Sequence, residues 1–240
     1  MQIQGPPETE ITTEFDVLTR LLPLEGARLL EIGCGAAEKT RQIAECANVG
    51  GIVAAEVDAI QHAKNLEIDD LPTVTFESFG AEAIPEPDES FDIVLMFKSL
   101  HHVPVSAMDD AMSEIRRVLV PGGLAYISEP VFAGNFNEVI RLFHDESGVR
   151  LAAFEAVVRA VETKRFELVE EISFTNVFEL KHFGQFEAGV LNVTHTEHDL
   201  TPERLQEVKE KFESFGSDEG YVFEIPNRVD LLRKPVGARP

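Results

Sequence analysis

The residues best suited to hold a ligand follow an apolar run near the start of the chain. Residues 29–32 predict a buried strand, Gly33 and Gly35 predict a tight turn directly after it, and residues 36–47 have the spacing of a helix. Because glycine has no side chain, this turn lets the backbone lie against a ligand. Glu56 ends the next apolar run. Together these features predict a nucleotide-like ligand at the turn.

Cys34 lies between the two glycines and has two interpretations. It is a reactive thiol, because the start of a helix favours the thiolate, or it is the small residue that the turn requires. The second interpretation is favoured. Cys34 and Cys46 are the two cysteines of the chain. They do not make a disulfide framework, so we expect a reducing compartment, the cytoplasm.

The composition is strongly acidic. The 240 residues include 43 Asp and Glu against 21 Lys and Arg, a formal net charge of −22. Such a surface repels phosphate backbones and anionic membranes, so nucleic acid and membrane are not expected as partners. No apolar run is long enough to cross a bilayer, and residues 1–8 lack the pattern of a signal peptide. The acidic surface and an amphipathic helix near the C-terminus leave a homodimer open.

Short strands and helices alternate through the first half of the chain, which predicts an α/β fold with a parallel sheet and helices on both faces. The strands predicted after the first are residues 51–56, 74–76, 91–96 and 124–128. In the second half, residues 166–180 predict a long strand, and Thr201 and Pro202 begin a helix. Residues 221–232 predict a last strand, interrupted by Pro226.

The order of these motifs resembles the class I S-adenosylmethionine-dependent methyltransferases over about residues 12–130. Besides the turn and Glu56, the strings that carry the resemblance are residues 80–85, 90–92, 100–103 and 119–124. Two positions depart from the family pattern. Ala37 stands where a third glycine is common, and Gly80 stands where an aspartate commonly binds the adenine. Glu82 or backbone carbonyls then take the place of that aspartate.

The resemblance implies a Rossmann-like, seven-stranded, mostly parallel sheet with an antiparallel last strand. A length of 240 residues fits one methyltransferase domain, residues 1–240, with a cofactor-binding core at about 12–130. Substrate-cover elements are expected within residues 1–25, around Phe15, and within 130–216. The segment 181–199 is long for a connection between strands, which is typical of a lid.

The implied cofactor is S-adenosylmethionine. The residues expected to bind it are Glu31, Gly33, Cys34, Gly35, Glu56, Val57, Ala81, Glu82, Lys98 and Ser99. Glu31 is expected near the ammonium group and Glu56 on the two ribose hydroxyls. Ala81 and Glu82 are expected at the adenine, with Lys98 and Ser99 at the methionine end.

The implied reaction is transfer of a methyl group to a small-molecule acceptor. The sulfonium is already activated, so in-line positioning of the nucleophile supplies much of the rate acceleration. If the nucleophile carries a proton, His101 and His102 are the candidate general bases, with His101 slightly ahead. Glu129, at the end of a strand, is a further candidate for the pocket or else a solvated carboxylate.

Two histidine clusters suggest a metal, but chance clustering is the better interpretation and no metal is predicted. They are residues 144–146 and residues 195–198. Two other functions stay open. A nicotinamide-dependent oxidoreductase shares the strand, turn and later acid, although Glu31 and the Pro121-Gly122-Gly123 turn weaken it. A non-catalytic cofactor-binding or interaction module on the same fold is the other alternative.

Overall fold

A central sheet carries the elements that surround the glycine turn. The computed structural model describes residues 1–3, 9–192, 200–217 and 219–237. The strands among these residues are β1 (Glu10–Ile11), β2 (Arg28–Ile32), β3 (Gly51–Ala55), β4 (Val74–Glu77), β5 (Phe91–Phe97), β6 (Leu119–Pro130), β7 (Glu167–Leu180), β8 (Gly216–Ser217) and β9 (Gly220–Arg233). They pair in the order β1-β7-β9-β6-β5-β2-β3-β4, and β8 pairs with β9.

The strand directions confirm the predicted fold class. Strands β2 to β6 pair in parallel with their neighbours, whereas β9 runs antiparallel to both β6 and β7. The seven longer strands, β2 to β7 and β9, form the predicted mostly parallel sheet with an antiparallel last strand. Two-residue strands add to it: β1 beside β7 and β8 beside β9.

Helices cover both faces of this sheet. They are α1 (Glu14–Leu21), α2 (Glu38–Cys46), α3 (Ala59–Asn65), α4 (Met108–Val118), α5 (Gly134–Ile140), α6 (Ser147–Glu162), α7 (Phe183–Phe186) and α8 (Pro202–Glu213). Short 3-10 turns cover Leu100–His102 and Val105–Ala107, and a π-helical turn covers Glu187–Leu191. None of the helices that these residues form has the length and apolarity that a membrane span requires.

Several helices begin where the sequence places a capping side chain. Thr13 and Asp58 each accept a hydrogen bond from a backbone N–H two or three residues further on, at the starts of α1 and α3. Thr201 does the same for α8, with Pro202 as the first helical residue. These side chains satisfy N–H groups that have no partner within the helix.

The apolar side chains form three clusters. The first lies between the sheet and helices α4 and α6, and includes Leu30 and Met96. The second lies on the opposite face against α1 and α2, and includes Leu29 and Leu95. Successive strand residues thus enter opposite cores, as expected for a sheet buried on both sides. The third cluster is aromatic and joins α5, α7 and α8 to the N-terminal half of β9.

Two element predictions are corrected by the structure. Pro226 does not interrupt the last strand, because β9 continues through it from Gly220 to Arg233. It lies just past the Pro130–Asn227 pair where the β6 ladder ends, so its missing N–H costs β6 no hydrogen bond. The strand predicted at 124–128 is also longer, since β6 already begins at Leu119.

Helix α1 lies within residues 1–25, where a substrate-cover element is predicted, and it packs on the sheet. Val17 and Leu18 are fully buried in the second cluster, and Phe15 packs against it. The Glu14 carboxylate, also buried, accepts hydrogen bonds from the Tyr126 hydroxyl at 2.7 Å and the Ser128 hydroxyl at 3.0 Å. These contacts fasten α1 to the sheet.

Candidate functional site

Two adjoining cavities lie at the carboxyl ends of strands β2 to β6. The larger one, of about 1010 Å³, is beside the glycine turn. The smaller one, of about 440 Å³, is beside α5 and the start of α6. Lys98 and His102 belong to the walls of both cavities. In parallel α/β sheets this edge is where ligands bind.

The two glycines of the turn have different physical roles. Both have positive φ angles, +75° at Gly33 and +53° at Gly35, which favour glycine. A Cβ on Gly33 would lie 3.2 Å from the Ser99 hydroxyl oxygen and closer still to its Cβ, so Gly33 allows β2 and β5 to approach. A Cβ on Gly35 would meet no atom within 4 Å. Gly35 therefore faces open space in the larger cavity.

Ala37 has a left-handed backbone conformation. Glycine adopts this conformation readily, and a third glycine is common at this position in the methyltransferases that the sequence resembles. The φ of Ala37 is +59°, yet its side chain is buried and its N–H donates to the Cys34 carbonyl at 2.9 Å. A methyl group therefore fits at this position, and the backbone strain is the ordinary cost of a non-glycine residue there. Helix α2 begins directly after it, at Glu38, two residues later than predicted.

Glu56 is a polar residue of the larger cavity that the backbone holds in place. Its two carboxylate oxygens accept the backbone N–H groups of Gly35 and Asp58, each at 2.8 Å. Glu56 is buried and belongs to the cavity wall. Each carboxylate oxygen can accept a second hydrogen bond. Glu56 can therefore accept hydrogen bonds from two ligand hydroxyls while it keeps its hydrogen bonds to the Gly35 and Asp58 N–H groups.

Three apolar side chains and the Glu82 carboxylate line another part of the larger cavity. Val57 lies in this wall and is 66% exposed, so a flat apolar ligand would bury it. Ala81 and the half-buried Phe79 contribute further apolar surface. The Glu82 carboxylate folds back over Gly80, where a Cβ on Gly80 would lie 2.7 Å from Glu82 Oε1. Glu82 thus occupies the space that a side chain at position 80 would take.

Glu31 and Cys34 are not among the residues that line the two described cavities, and their assignment to the cofactor stays a prediction. Glu31 is buried behind the turn, where it accepts the Thr40 hydroxyl at 2.7 Å. Burial raises the pKa of Glu31 to about 7. The Cys34 thiol is buried, and burial raises its pKa as well. That change disfavours the thiolate and supports the interpretation of Cys34 as a small turn residue.

Lys98 follows β5 in a left-handed conformation, with φ +55°. Its N–H donates to the Ser128 carbonyl at 2.7 Å, which keeps the residue at the end of β6. The next residue, Ser99, donates its hydroxyl to the Ile32 carbonyl at 2.7 Å. Both predicted residues therefore lie where the larger cavity approaches the smaller one.

His101 is buried between two carboxylates. Nδ1 is hydrogen-bonded to Glu129, and Nε2 lies 3.6 Å from Glu146 Oε1. Glu129 also accepts the Leu100 N–H at 2.8 Å. Burial alone would lower the pKa of His101, but the two carboxylates outweigh it and raise the pKa to about 9.

These contacts disfavour His101 relative to His102 as the general base, and the choice of base stays a prediction. An imidazole that is protonated at neutral pH, with a carboxylate at each nitrogen, has no free position to accept a proton. The His102 ring is exposed, lies 4.1 Å from the His101 ring between centroids, and belongs to both cavity walls.

Glu146 links three cationic or protonatable side chains in the smaller cavity. Its carboxylate accepts the Arg150 guanidinium at 2.5 and 3.1 Å, and lies 3.1 Å from His144 Nε2. Burial would raise the pKa of Glu146, but the positive charges of His101 and Arg150 hold it far below its usual range.

The structure describes only one of the two histidine clusters, residues 144–146 and 195–198, that the sequence analysis weighed as metal ligands. His195 and His198 lie outside the described residues. Glu146 comes together with His101 and His102, with one ligand-type atom of each within 4.8 Å of the others. Because the Glu146 carboxylate is already neutralised by Arg150, the prediction of no metal stays our prediction.

The smaller cavity has apolar walls that sequence reasoning missed. They are formed by Val131, Phe136, Ile140, Phe143, Val190 and Ile225. The helical spacing of residues 139–143 was visible in the sequence, but the cavity they face was not. Phe183 and Phe186 of the predicted cover pack instead in the third cluster. From the same segment, Val190 reaches the smaller cavity and Asn192 the larger one.

Residues 30–127 match the family model described as "Methyltransferase domain". Among curated proteins, the chain is 41% identical over 124 residues to 27-O-demethylrifamycin SV methyltransferase of Amycolatopsis mediterranei, covering 48% of this chain and 43% of that protein. It is 36% identical over 110 residues to ubiquinone biosynthesis O-methyltransferase of Sinorhizobium fredii, covering 44% and 42%. The chain therefore spans less than half the length of these relatives.

Solved structures share the fold over almost the whole chain. A candidate methyltransferase from Bacillus halodurans has a TM-score of 0.66 at 23% identity, covering 93% of this chain and 99% of that one. The (4+2)-cyclase SpnF has a TM-score of 0.60, also at 23% identity, covering 93% and 80%. At this identity the likeness shows the fold alone. A neighbour named as a cyclase makes plain that this fold is not restricted to methyl transfer.

Proposed function

Because residues 30–127 form a domain of the class I S-adenosylmethionine-dependent methyltransferase family, we propose that this chain transfers the methyl group of S-adenosylmethionine to an oxygen atom of a small molecule. The observation that carries the proposal is the shared wall of the two cavities. Lys98 and His102 border both, so a cofactor in the larger cavity and an acceptor in the smaller one would meet beside them.

The residues of the larger cavity fit the cofactor. The volume of about 1010 Å³ is sufficient for an adenosyl group with its amino-acid tail. Glu56 has free acceptor positions for the ribose hydroxyls. Gly35 has no side chain, so the cofactor can approach the backbone there. Val57 and Phe79 provide apolar surface for the adenine. S-adenosylmethionine supplies an activated methyl group when bound.

The acceptor is proposed to be a small molecule. The smaller cavity, of about 440 Å³, has the size of a drug-like ligand site. Both curated relatives described above are named for O-methylation or for an O-demethylated substrate. A hydroxyl acceptor is the common element, and the apolar walls of the cavity suit a molecule with an aromatic or aliphatic body.

His102 is proposed as the general base, since it reaches both cavities. His101 then acts as a positioning residue, because its ring packs beside His102 and is held by Glu129 and Glu146. The chain thereby keeps one imidazole charged and buried and exposes its neighbour to the acceptor. Removing His102 is expected to lower turnover about 10²- to 10⁴-fold, the usual contribution of a general base.

The first experiment is calorimetric titration of the protein with S-adenosylmethionine, S-adenosylhomocysteine and NADH. We expect binding of both adenosyl compounds and not of NADH. Glu56→Ala should weaken binding by about 2–3 kcal/mol, roughly 30- to 150-fold, because charge-assisted hydrogen bonds are lost. Glu67→Ala, an exposed residue after α3, is the control and should bind normally.

Other results would redirect the proposal. Binding of NADH alone would favour the oxidoreductase alternative. Tight binding of the adenosyl compounds without methyl transfer to any hydroxyl compound of a metabolite library would favour a module that binds the cofactor without turnover. Equal turnover of His102→Ala and the wild-type protein would show that positioning alone suffices.

A further inference from the structure

Lys98 is a cation without a partner at the boundary of the two cavities. No described residue makes a hydrogen bond or an ion pair with its ammonium group, and the residue is half-buried where the two cavities meet. A charge that is partly removed from water is stabilised by an ionic partner. The described part of this chain shows the contrast. The buried Lys234 ammonium donates to the Leu119 carbonyl at 2.6 Å and lies 3.5 Å from Glu89.

The backbone fixes where Lys98 lies. Its left-handed conformation and the hydrogen bond from its N–H to Ser128 hold the residue at the end of β5. Ser99 is held in turn by the Ile32 carbonyl. Strained, non-glycine conformations of this kind persist where the surroundings over-determine them, and they are concentrated at functional sites.

The charges around Lys98 leave its positive charge uncompensated. Two acidic groups lie near enough to act on it electrostatically, Glu14 and Glu129, and two cations do so as well, Lys39 and Arg150. The acids are engaged elsewhere: Glu14 accepts two hydroxyls, and Glu129 holds His101. Although the chain has a net charge of −22, the positive charge of Lys98 therefore faces the two cavities without an ion-pair partner among the described residues.

We propose that Lys98 binds the nucleophilic oxygen of the acceptor as an anion, which assigns the acceptor to molecules with an acidic hydroxyl: phenols, enols or carboxylic acids on an apolar body. This inference rests on the proposed function and names its substrate class. A neutral aliphatic alcohol would gain less from this charge than an anion, and a protonated amine would be repelled by it.

The step balances with the residues in place. The acceptor hydroxyl gives its proton to His102, which returns it to solvent through the open cavity. The oxygen electron pair forms the new bond to the methyl carbon, and the electrons of the broken carbon–sulfur bond return to sulfur. Lys98 keeps its protons throughout and stabilises the oxygen anion before transfer. Burial lowers the pKa of Lys98 in the absence of an anion, and a bound anion would reverse that effect.

The test uses 4-nitrophenol, whose anion is yellow and whose neutral form is not. It is titrated with pH in the presence of the wild-type protein, with and without saturating S-adenosylhomocysteine. We expect the bound phenol to ionise about one pH unit or more below the free phenol. Lys98→Met, which keeps the length and apolar stem but removes the charge, should abolish the shift. Lys39→Met, a neighbouring cation outside both described cavity walls, should retain it.

Three results would overturn the inference: no binding of 4-nitrophenol to the wild-type protein, binding without a shift, or a shift that survives in Lys98→Met. If Lys98→Met instead weakens S-adenosylhomocysteine binding tenfold or more and leaves the phenol unchanged, the anion is the cofactor carboxylate and the assignment is wrong. None of these readouts requires turnover. The methyltransferase proposal therefore stands or falls separately, on cofactor binding and methyl transfer.

Discussion

At the scale of single residues, three glutamates with the same chemistry have different roles because their surroundings differ. Glu56 is held by two backbone N–H groups and keeps free acceptor positions toward the larger cavity. Glu129 and Glu146 are occupied by His101, with Arg150 adding to Glu146. The first is therefore suited to bind a ligand, and the other two set the protonation state of a histidine.

The His101 charge pairs should make stability depend on pH. The folded-state pKa of about 9 lies above the ordinary value of 6.5. The contribution is thus fully present below about pH 6.5 and is lost as the pH rises toward 9. We expect the free energy of unfolding to fall by about 3 kcal/mol across this interval from this group, measured by denaturant titration.

The matched variants separate this effect from other titrations. His101→Gln should be less stable at pH 6.5 and should lose most of the decline between pH 6.5 and 9. His182→Gln, which changes an exposed histidine, should keep the wild-type decline. An identical slope in all three proteins would mean that His101 is not charged in the folded state.

Glu82 is predicted to replace the adenine-binding aspartate that the family commonly has at position 80. Its carboxylate lies over Gly80, in the space of the absent side chain. Glu82→Ala should weaken S-adenosylhomocysteine binding by about 1–2 kcal/mol, roughly 5- to 30-fold, through loss of one hydrogen bond. Adding Gly80→Asp to that variant should restore much of the affinity. Calorimetry of both variants checks this, and unchanged affinity of Glu82→Ala would remove Glu82 from the adenine site.

At the scale of elements, the C-terminal half of β7 and the N-terminal half of β9 extend the antiparallel pair beyond β6. Their pairing continues to Leu180 and Tyr221, whereas the β6 ladder with β9 ends at Asn227. Helices α5, α7 and α8 pack on this extension through the aromatic third cluster. The extension thereby supports the wall of the smaller cavity, and substrate-cover elements within 130–216 stay a prediction.

Phe212 of α8 is the test of this element. It is fully buried, and its ring centroid lies 5.2–5.3 Å from those of Phe183, Phe186 and Phe223. Phe212→Ala should lower the free energy of unfolding by about 3–5 kcal/mol, because it leaves a cavity in a packed core. Phe215→Ala, at a half-buried position, should cost less than half as much.

The same pair of variants tests the role of the cover. Cofactor affinity should be unchanged in Phe212→Ala, since the third cluster is separate from the glycine turn. The acceptor KM should rise. If Phe212→Ala weakened cofactor binding as much as acceptor binding, the third cluster would support the larger cavity as well as the smaller one.

At the scale of the whole molecule, the charge distribution separates the surface from the site. The chain carries a net charge of −22, while Lys98 places a positive charge at the smaller cavity, where His101 and Arg150 are paired with Glu129 and Glu146. An acidic surface repels polyanions, whereas a small anionic or acidic molecule can still reach one lysine in a cavity wall.

We therefore expect no binding of nucleic acid. In an electrophoretic mobility assay at low salt, where electrostatic attraction is strongest, neither duplex DNA nor RNA should be retarded at micromolar protein. A basic protein of similar size is the positive control. Salt-sensitive retardation would contradict the expectation and direct attention to a basic surface that the net charge conceals.

The sequence by itself determined the fold class and the glycine turn beside the larger cavity, because these depend on contiguous residues. A strand, two glycines, a helix and an acid at the end of the next strand form one local unit, and each of these elements appears as predicted. Gly33, Gly35, Glu56, Val57, Ala81, Glu82, Lys98 and Ser99 all come together at the larger cavity or its turn.

Only the tertiary structure decided burial, charge pairing and the acceptor side. Glu31 precedes the turn in sequence but is buried behind it, since a strand turns alternate residues away from any one face. His101 and His102 are neighbours with identical side chains. One is enclosed by acids from β6 and the start of α6, and the other faces both cavities. Such differences arise from contacts between residues 28 to 45 positions apart, which local pattern does not encode.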